Sequence, residues 1–214
     1  MQKKLTRANR SDIFRMMAFD AKIVTIAAMS DISAGHSIRT AVDELPSGDV
    51  GVVQMRNVDV DGGVDWKSVS RVEPPPARRI DYLALGDIIF STRGARNHAV
   101  ALDHIPFPSV CSPHFFVIRV RCDALDPHFL AWQINQAPAQ EYLQNAATGS
   151  HVLNIRREVI EQLEIVLPPR VQQAAIVAFA EAARREKQAF AALVASRQQQ
   201  MDMLAAGLHR SIKE

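Results

Sequence analysis

From Lys22 to about Val120, short apolar runs alternate with Gly, Pro and Asp punctuation. Val50-Gly-Val-Val-Gln-Met-Arg56, Asp87 to Ser91, Ala99-Val-Ala-Leu102 and Phe115-Phe-Val-Ile-Arg-Val120 each read as a strand. Asp59-Val-Asp61-Gly-Gly63 reads as a hairpin turn capped by its aspartates, and Pro74-Pro75-Pro76 as a loop or extended segment. After Asp126-Pro127 the spacing of Phe129, Leu130, Trp132 and Ile134 suits a helix. A second short helix is predicted from Ala139 to Ala147, ending near Gly149. A helical turn from Arg157 to Leu163 and a last strand from Glu164 to Leu167 then lead to a Pro-Pro stop.

The pattern changes at Val171. No proline follows, and the only glycine is Gly207. Ile176, Phe179, Ala183, Phe190, Leu193, Val194, Met201, Leu204, Leu208 and Ile212 recur at spacings of three, four and seven. An unbroken helix of this length extends about 60 Å at ~1.5 Å per residue. One compact domain cannot cover an apolar stripe that long, so the helix calls for another alongside it. The alternative is a shorter helix folded back on the domain with a frayed tail.

Composition narrows the classes. The chain has 214 residues, 48% hydrophobic and 22% charged, which suits a soluble domain with an appendage. A net charge of +2 gives no overall cationic field, although most of the basic residues are arginine, the better side chain for phosphate and guanine edges. A GC-rich genome produces the same bias. Cys111 and Cys122 make no disulfide framework. No apolar run is long enough to span a membrane, and the basic start, MQKKLTRANRSDIFRMMAF, lacks the apolar core of a signal peptide. A cytoplasmic protein is expected.

Catalytic readings fit poorly. Cys111, His114, Cys122 and His128 lie close in sequence, but an extended run from 115 to 120 separates His114 from Cys122 by roughly 26 Å at ~3.3 Å per residue. That is too far to share a zinc ion. Asp65 and Lys67, with Asp49 or Asp59, loosely match the carboxylates and lysine of a Mg-dependent nuclease, the leading enzymatic alternative. The Leu167-Pro-Pro-Arg170 turn lacks the polar residue an amino-methyltransferase places before its prolines. Ser91, His98 and Asp103 crowd one stretch, with nothing to order them as a triad. A P-loop, a Rossmann fingerprint and Gly-x-Ser-x-Gly are absent.

Side chains suited to reading nucleic acid are spread over several loops. Arg56 and Asn57 follow a strand. Arg93, Arg96, Asn97 and His98 share the loop after Ser91, and Thr148, Ser150, His151 and Asn154 surround Gly149. Arg pairs with guanine and Asn with adenine in the major groove, and small hydroxyls beside glycine hold phosphates. A non-DNA-binding interaction adaptor is the third class to weigh.

The order of four stretches carries a resemblance. "LALGDIIFSTRG", "SPHFFVIRV", "LDPHFLAWQIN" and "TGSHVLNIRREVIEQLEIVLPPRVQQAAIVAF" occur in the arrangement of the specificity (S) subunits of type I restriction–modification systems, and the chain resembles one half of such a subunit. The resemblance implies an α/β (α+β) target recognition domain of mixed and antiparallel strands with short helices, followed by a long coiled-coil-type spacer helix. The corresponding divisions are a basic lead at 1–21, the recognition domain at 22–169 and the spacer or dimerisation helix at 170–214. It implies a non-catalytic protein that binds double-stranded DNA and docks the adenine methyltransferase (M) subunit, with a restriction/translocase (R) subunit further out. No cofactor is expected on this chain, since S-adenosylmethionine would sit on the methyltransferase. Arg56, Asn57, Arg93, Arg96, Asn97, His98, Thr148, Ser150, His151 and Asn154 are the candidate DNA contacts. Ile176, Phe179, Phe190, Leu193, Met201, Leu204 and Leu208 are the candidate partner-helix contacts. A full S subunit carries two recognition domains and two spacer helices, so a single copy implies a homodimer or pairing with another half-subunit.

Overall fold

A computed structural model describes residues 21–36, 48–59, 61, 63–73, 80–93, 97–146 and 154–211, with side chains to 206. The elements in chain order are β1 (Lys22–Thr25), α1 (Ile26–Met29), β2 (Ser30–Ala34), β3 (Val50–Val53), β4 (Val58–Asp59), β5 (Gly63–Val64), β6 (Ser70–Val72), β7 (Ile88–Ser91), β8 (Ala99–Ala101), β9 (Ser109–Cys111), β10 (Phe115–Val120), α2 (Pro127–Ile134), α3 (Ala137–Ala146), α4 (Arg157–Glu161), β11 (Glu164–Leu167) and α5 (Arg170–Ser211). An antiparallel sheet runs β2-β10-β7-β8, and a smaller one, β6-β3-β9, pairs β3 with β9 in parallel. β1 closes antiparallel on β11, and β4 with β5 forms a hairpin.

The apolar run Ile88-Ile89-Phe90 is continuous because β7 is covered on both faces. Ile88 and Phe90 enter one core with Ile118, Phe129, Leu130 and Ile134, while Ile89 enters a second with Val53, Phe115 and Val117. A strand buried on both sides loses the alternation that a half-exposed strand shows. Asp126 caps α2 by accepting from the amides of His128 and Phe129 at 2.8 and 3.3 Å, with Pro127 in the first turn.

Helix α2 then finishes two strands. The Asn135 amide accepts from Ala99 N at 3.0 Å and donates to Ala99 O at 2.7 Å. Gln133 accepts from Val166 N at 2.6 Å and donates to Val166 O at 2.9 Å. Each side-chain amide stands in for a neighbouring strand and satisfies backbone groups on β8 and β11. Across the sheet, the buried Asp87 receives a two-pronged bond from Arg119, Nε to Oδ1 at 2.8 Å and Nη2 to Oδ2 at 2.7 Å. This bond is the main reason the guanidinium's pKa lies above its ordinary value.

Most expected elements are present, with shifted ends. The strand from Val50 stops at Val53, because Gln54 and Asn57 close a reciprocal capping box around a 3₁₀ turn at Met55–Asn57. The second short helix begins at Ala137. The Asp59–Gly63 hairpin is found, with the Asp59 carboxylate accepting from Asp61 N at 2.8 Å. The basic lead before residue 21 and the Pro74–Pro76 segment lie outside the described residues. The long helix is one element of 42 residues, and its start is locked to the globule. The Gln173 side chain, fully buried, accepts from Asp126 N at 2.8 Å and donates to Ala124 O and Pro168 O at 2.8 and 2.7 Å.

Candidate nucleic-acid interface

Three ties gather one polar face. Arg93 and Asn154 form an antiparallel bridge, and both are exposed. Thr92, next to Arg93, donates to His114 O from its backbone at 2.9 Å and from its hydroxyl at 3.0 Å. His114 in turn lines a cleft of about 460 Å³ with His36, Gln54, Arg56 and Ser112. The exposed Arg56 is held on the 3₁₀ turn after β3 by a 2.9 Å bond to the Ser70 hydroxyl. The face therefore presents two arginines, two histidines and an asparagine, aimed by strand ends.

Arg96, Thr148, Ser150 and His151 lie outside the described residues. His36 was not singled out by sequence, and His114 was weighed there only as a zinc ligand. They face the cleft because Gly35 and His36 bond back to Phe115 O and Cys111 O at 2.9 and 2.7 Å, a long-range tie that no local pattern announces.

Other candidates belong to the scaffold. Asn57 is buried: its amide donates to Ser68 O and Oγ at 2.8 and 3.0 Å, and its oxygen accepts from Gln54 N at 2.8 Å. Asn97 is buried too, donating to Ser91 O at 2.8 Å. Their amides are spent inside, which takes both out of reach of a base edge. His98 is half-buried, and its backbone amide donates to the Ser91 hydroxyl at 2.7 Å, so that hydroxyl serves a turn. Asp65, from the nuclease pattern, caps a 3₁₀ turn through Lys67 N at 3.2 Å. Among the described residues no cluster of His, Cys, Asp or Glu is placed to hold a metal ion. Burial pushes the Cys111 thiol up to about 12, which keeps it protonated and unreactive. A larger cleft, about 710 Å³, lies away from this face between α2, α3 and β11, with Trp132, Tyr142 and Val166 in its lining. Among the described residues no helix is long and apolar enough to cross a membrane.

The candidate partner-helix residues split in two. Ile176 packs partly against the core, whereas Phe179, Phe190, Leu193, Met201 and Leu204 are exposed. The side chain of Leu208 lies outside the described part.

These features define a class: an α+β globule with short strands at its polar face and a long helix launched from a Pro-Pro corner. No protein-family model and no curated protein matches the sequence. Solved structures match the fold. The S subunit of a type I restriction–modification system from M. genitalium superimposes at a TM-score of 0.57 and 16% identity, over 82% of this chain and 42% of that one. The HsdS subunit from Thermoanaerobacter tengcongensis does so at 0.61 and 20%, over 86% and 47%. A structure of the complex assembly and conformational transition of the type I R-M system matches at 0.51 and 17%, over 79% and 42%. The chain has the HsdS fold and spans less than half the length of these proteins, as the resemblance to half an S subunit implied.

Proposed function

We propose that the chain is a sequence-specificity subunit of a type I-like DNA methyltransferase or restriction–modification complex, without catalysis of its own. The observation that carries this reading is the coincidence of the HsdS fold with the face of Arg56, His114, Arg93 and Asn154. In this reading the face reads one half of a split site in double-stranded DNA, and Arg96, Thr148, Ser150 and His151 contribute from segments adjoining it. The adenine methyltransferase docks on the same chain and brings S-adenosylmethionine, and a restriction/translocase subunit joins the assembled complex. The apolar helix supports pairing with a second copy.

The test is DNA binding by the full chain together with its methyltransferase, plus adenine-methylation mapping in cells with and without the gene. Salt-dependent affinity and a two-part methylated motif lost with the gene are expected. Mg-dependent cleavage by the isolated chain would establish the nuclease instead, and no DNA affinity at any salt the adaptor. Arg93→Ala is expected to weaken specific binding by ~1–3 kcal/mol if it reads a base. A loss equal on all sequences, with a shallower salt slope, assigns it to phosphate.

A further inference from the structure

The cleft of about 710 Å³ between α2, α3 and β11 shares no residue with the polar face, and its walls are largely apolar: Phe129, Trp132, Pro138, Tyr142, Val166 and Ile176. The apolar surface continues past its rim. Ile23 on β1 is the antiparallel partner of Val166 on β11, so both side chains leave the same side of the ribbon. There they are 67% and 44% exposed. A large apolar cleft continuous with an exposed apolar patch is a contact surface. Among the described residues lining the cleft, Glu164 alone is charged. The occupant that fits combines bulky apolar side chains with a cation.

The chain delivers such a segment to the rim. In the β1–β11 ladder Lys22 faces Leu167, which brings Ala21 alongside Pro168, a residue of the cleft wall. Pro168 and Pro169 have no N–H with which to extend the ladder, so pairing ends at this corner. Twenty residues precede Ala21. The nearest of them read Ile13-Phe14-Arg15-Met16-Met17-Ala18-Phe19-Asp20, with five large apolar side chains around one arginine. Methionine, unbranched and adaptable, fills irregular walls well. The eight residues from Ala21 back to Ile13 reach up to ~28 Å, whereas a cleft of this volume is on the order of 10 Å across.

We propose that residues 13–19 of the same chain occupy this cleft, with their apolar side chains on Trp132, Tyr142 and Val166 and Arg15 beside Glu164. Seated there, the lead covers the Pro-Pro corner and Ile176 and braces the first turns of α5 against the globule. The proposal stands apart from the specificity-subunit reading, since it uses no residue of the polar face.

Trypsin digestion of the full chain, without DNA, tests it, with the released N-terminal fragments identified by mass. Arg7 and Arg10 lie outside the docked run and serve as internal references. Each cleavage rate is divided by that of the same site in the urea-unfolded chain. Cleavage after Arg15 is expected to be at least about tenfold slower than after Arg7 or Arg10, because a seated segment must lift out before a protease can bind it. Phe14→Asp removes the contact on the side of the lead. Val166→Asp and Ile23→Asp remove it on the side of the cleft, at positions exposed enough to spare the core. All three are expected to bring cleavage after Arg15 to within about threefold of the references, with unchanged circular dichroism. Equal rates at the three sites of the parent chain overturn the docking. Slow cleavage that folded Val166→Asp and Ile23→Asp leave unaltered overturns the cleft as its seat. Protection that sets in only as the protein concentration is raised assigns the cleft to a second copy and overturns occupation by the chain's own lead.

Discussion

Phe90 and Phe190 are the same side chain in opposite circumstances. Phe90 is 0% exposed at the centre of β7, packed between α2 and the sheet, whereas Phe190 is 60% exposed on α5. The globule covers its own apolar surface, whereas the outer helix leaves its apolar side chains exposed within one copy. Phe90→Ala is expected to cost about 3–5 kcal/mol in urea unfolding of the globule, through lost transfer energy and a cavity. Phe190→Ala is expected to leave that transition within ~0.5 kcal/mol at concentrations where the chain is monomeric, and to weaken self-association instead. Equal destabilisation by the two would show that α5 is folded back on its own globule, and the contrast would be lost.

The two regions meet at Gln173. Its amide joins the N-terminus of α2, the preceding loop and the Pro-Pro corner through three bonds. Gln173→Ala leaves the amide of Asp126 and the carbonyls of Ala124 and Pro168 without that partner in a buried place. A loss of about 2–3 kcal/mol is expected, smaller than for Phe90. The more telling measurement is a spin-label distance between the hairpin at Asp61 and the middle of α5. A broadened distribution in Gln173→Ala would mark the side chain as the joint that aims the helix. An unchanged one would hand that role to the bonds from Lys187 and Gln188 to Asp61.

Much of the scaffold was legible because its ties are short-range or patterned. The buried run of β7, the Asp126-Pro127 helix start and the unbroken period of α5 all follow from local chemistry. The four stretches behind the S-subunit resemblance turn out to contain the fold's internal bonds. Asp87 clamps Arg119, Gln133 and Asn135 complete strands, Ile155 is buried, and Gln173 pins the helix. Gly86, with φ of 83°, occupies a turn that only glycine enters freely. Such residues identify a scaffold and leave its reading surface unspecified. That is why Asn57 and Asn97, chosen for their chemistry, proved to be buried, why His36 went unnoticed, and why His114 was weighed only as a metal ligand. A polar residue after a strand looks alike whether it caps a turn or faces outward. The strands β5, β6 and β9 have two or three residues each, too few to show a period.

The smallest expected effect probes the globule's second core through Cys111. Its thiol is pushed up to about 12 by burial, against an unfolded value near 9. Above about pH 9 the unfolded chain releases this proton while the native chain keeps it. The unfolded state then binds fewer protons, so this site's contribution to stability falls as pH rises from about 9 to about 12 and is flat below about pH 8. The slope is at most ~1.4 kcal/mol per pH unit. Lysines and tyrosines also titrate in this range, so the measurement is the difference between the parent chain and Cys111→Ala in urea unfolding between pH 8 and 10. The variant is expected to lose stability at every pH but to show the shallower decline. Parallel curves would mean that the thiol ionises as readily in the folded globule as in the unfolded chain. The second core would then be open to water where its packing against Val53, Phe115 and Val117 says it is closed.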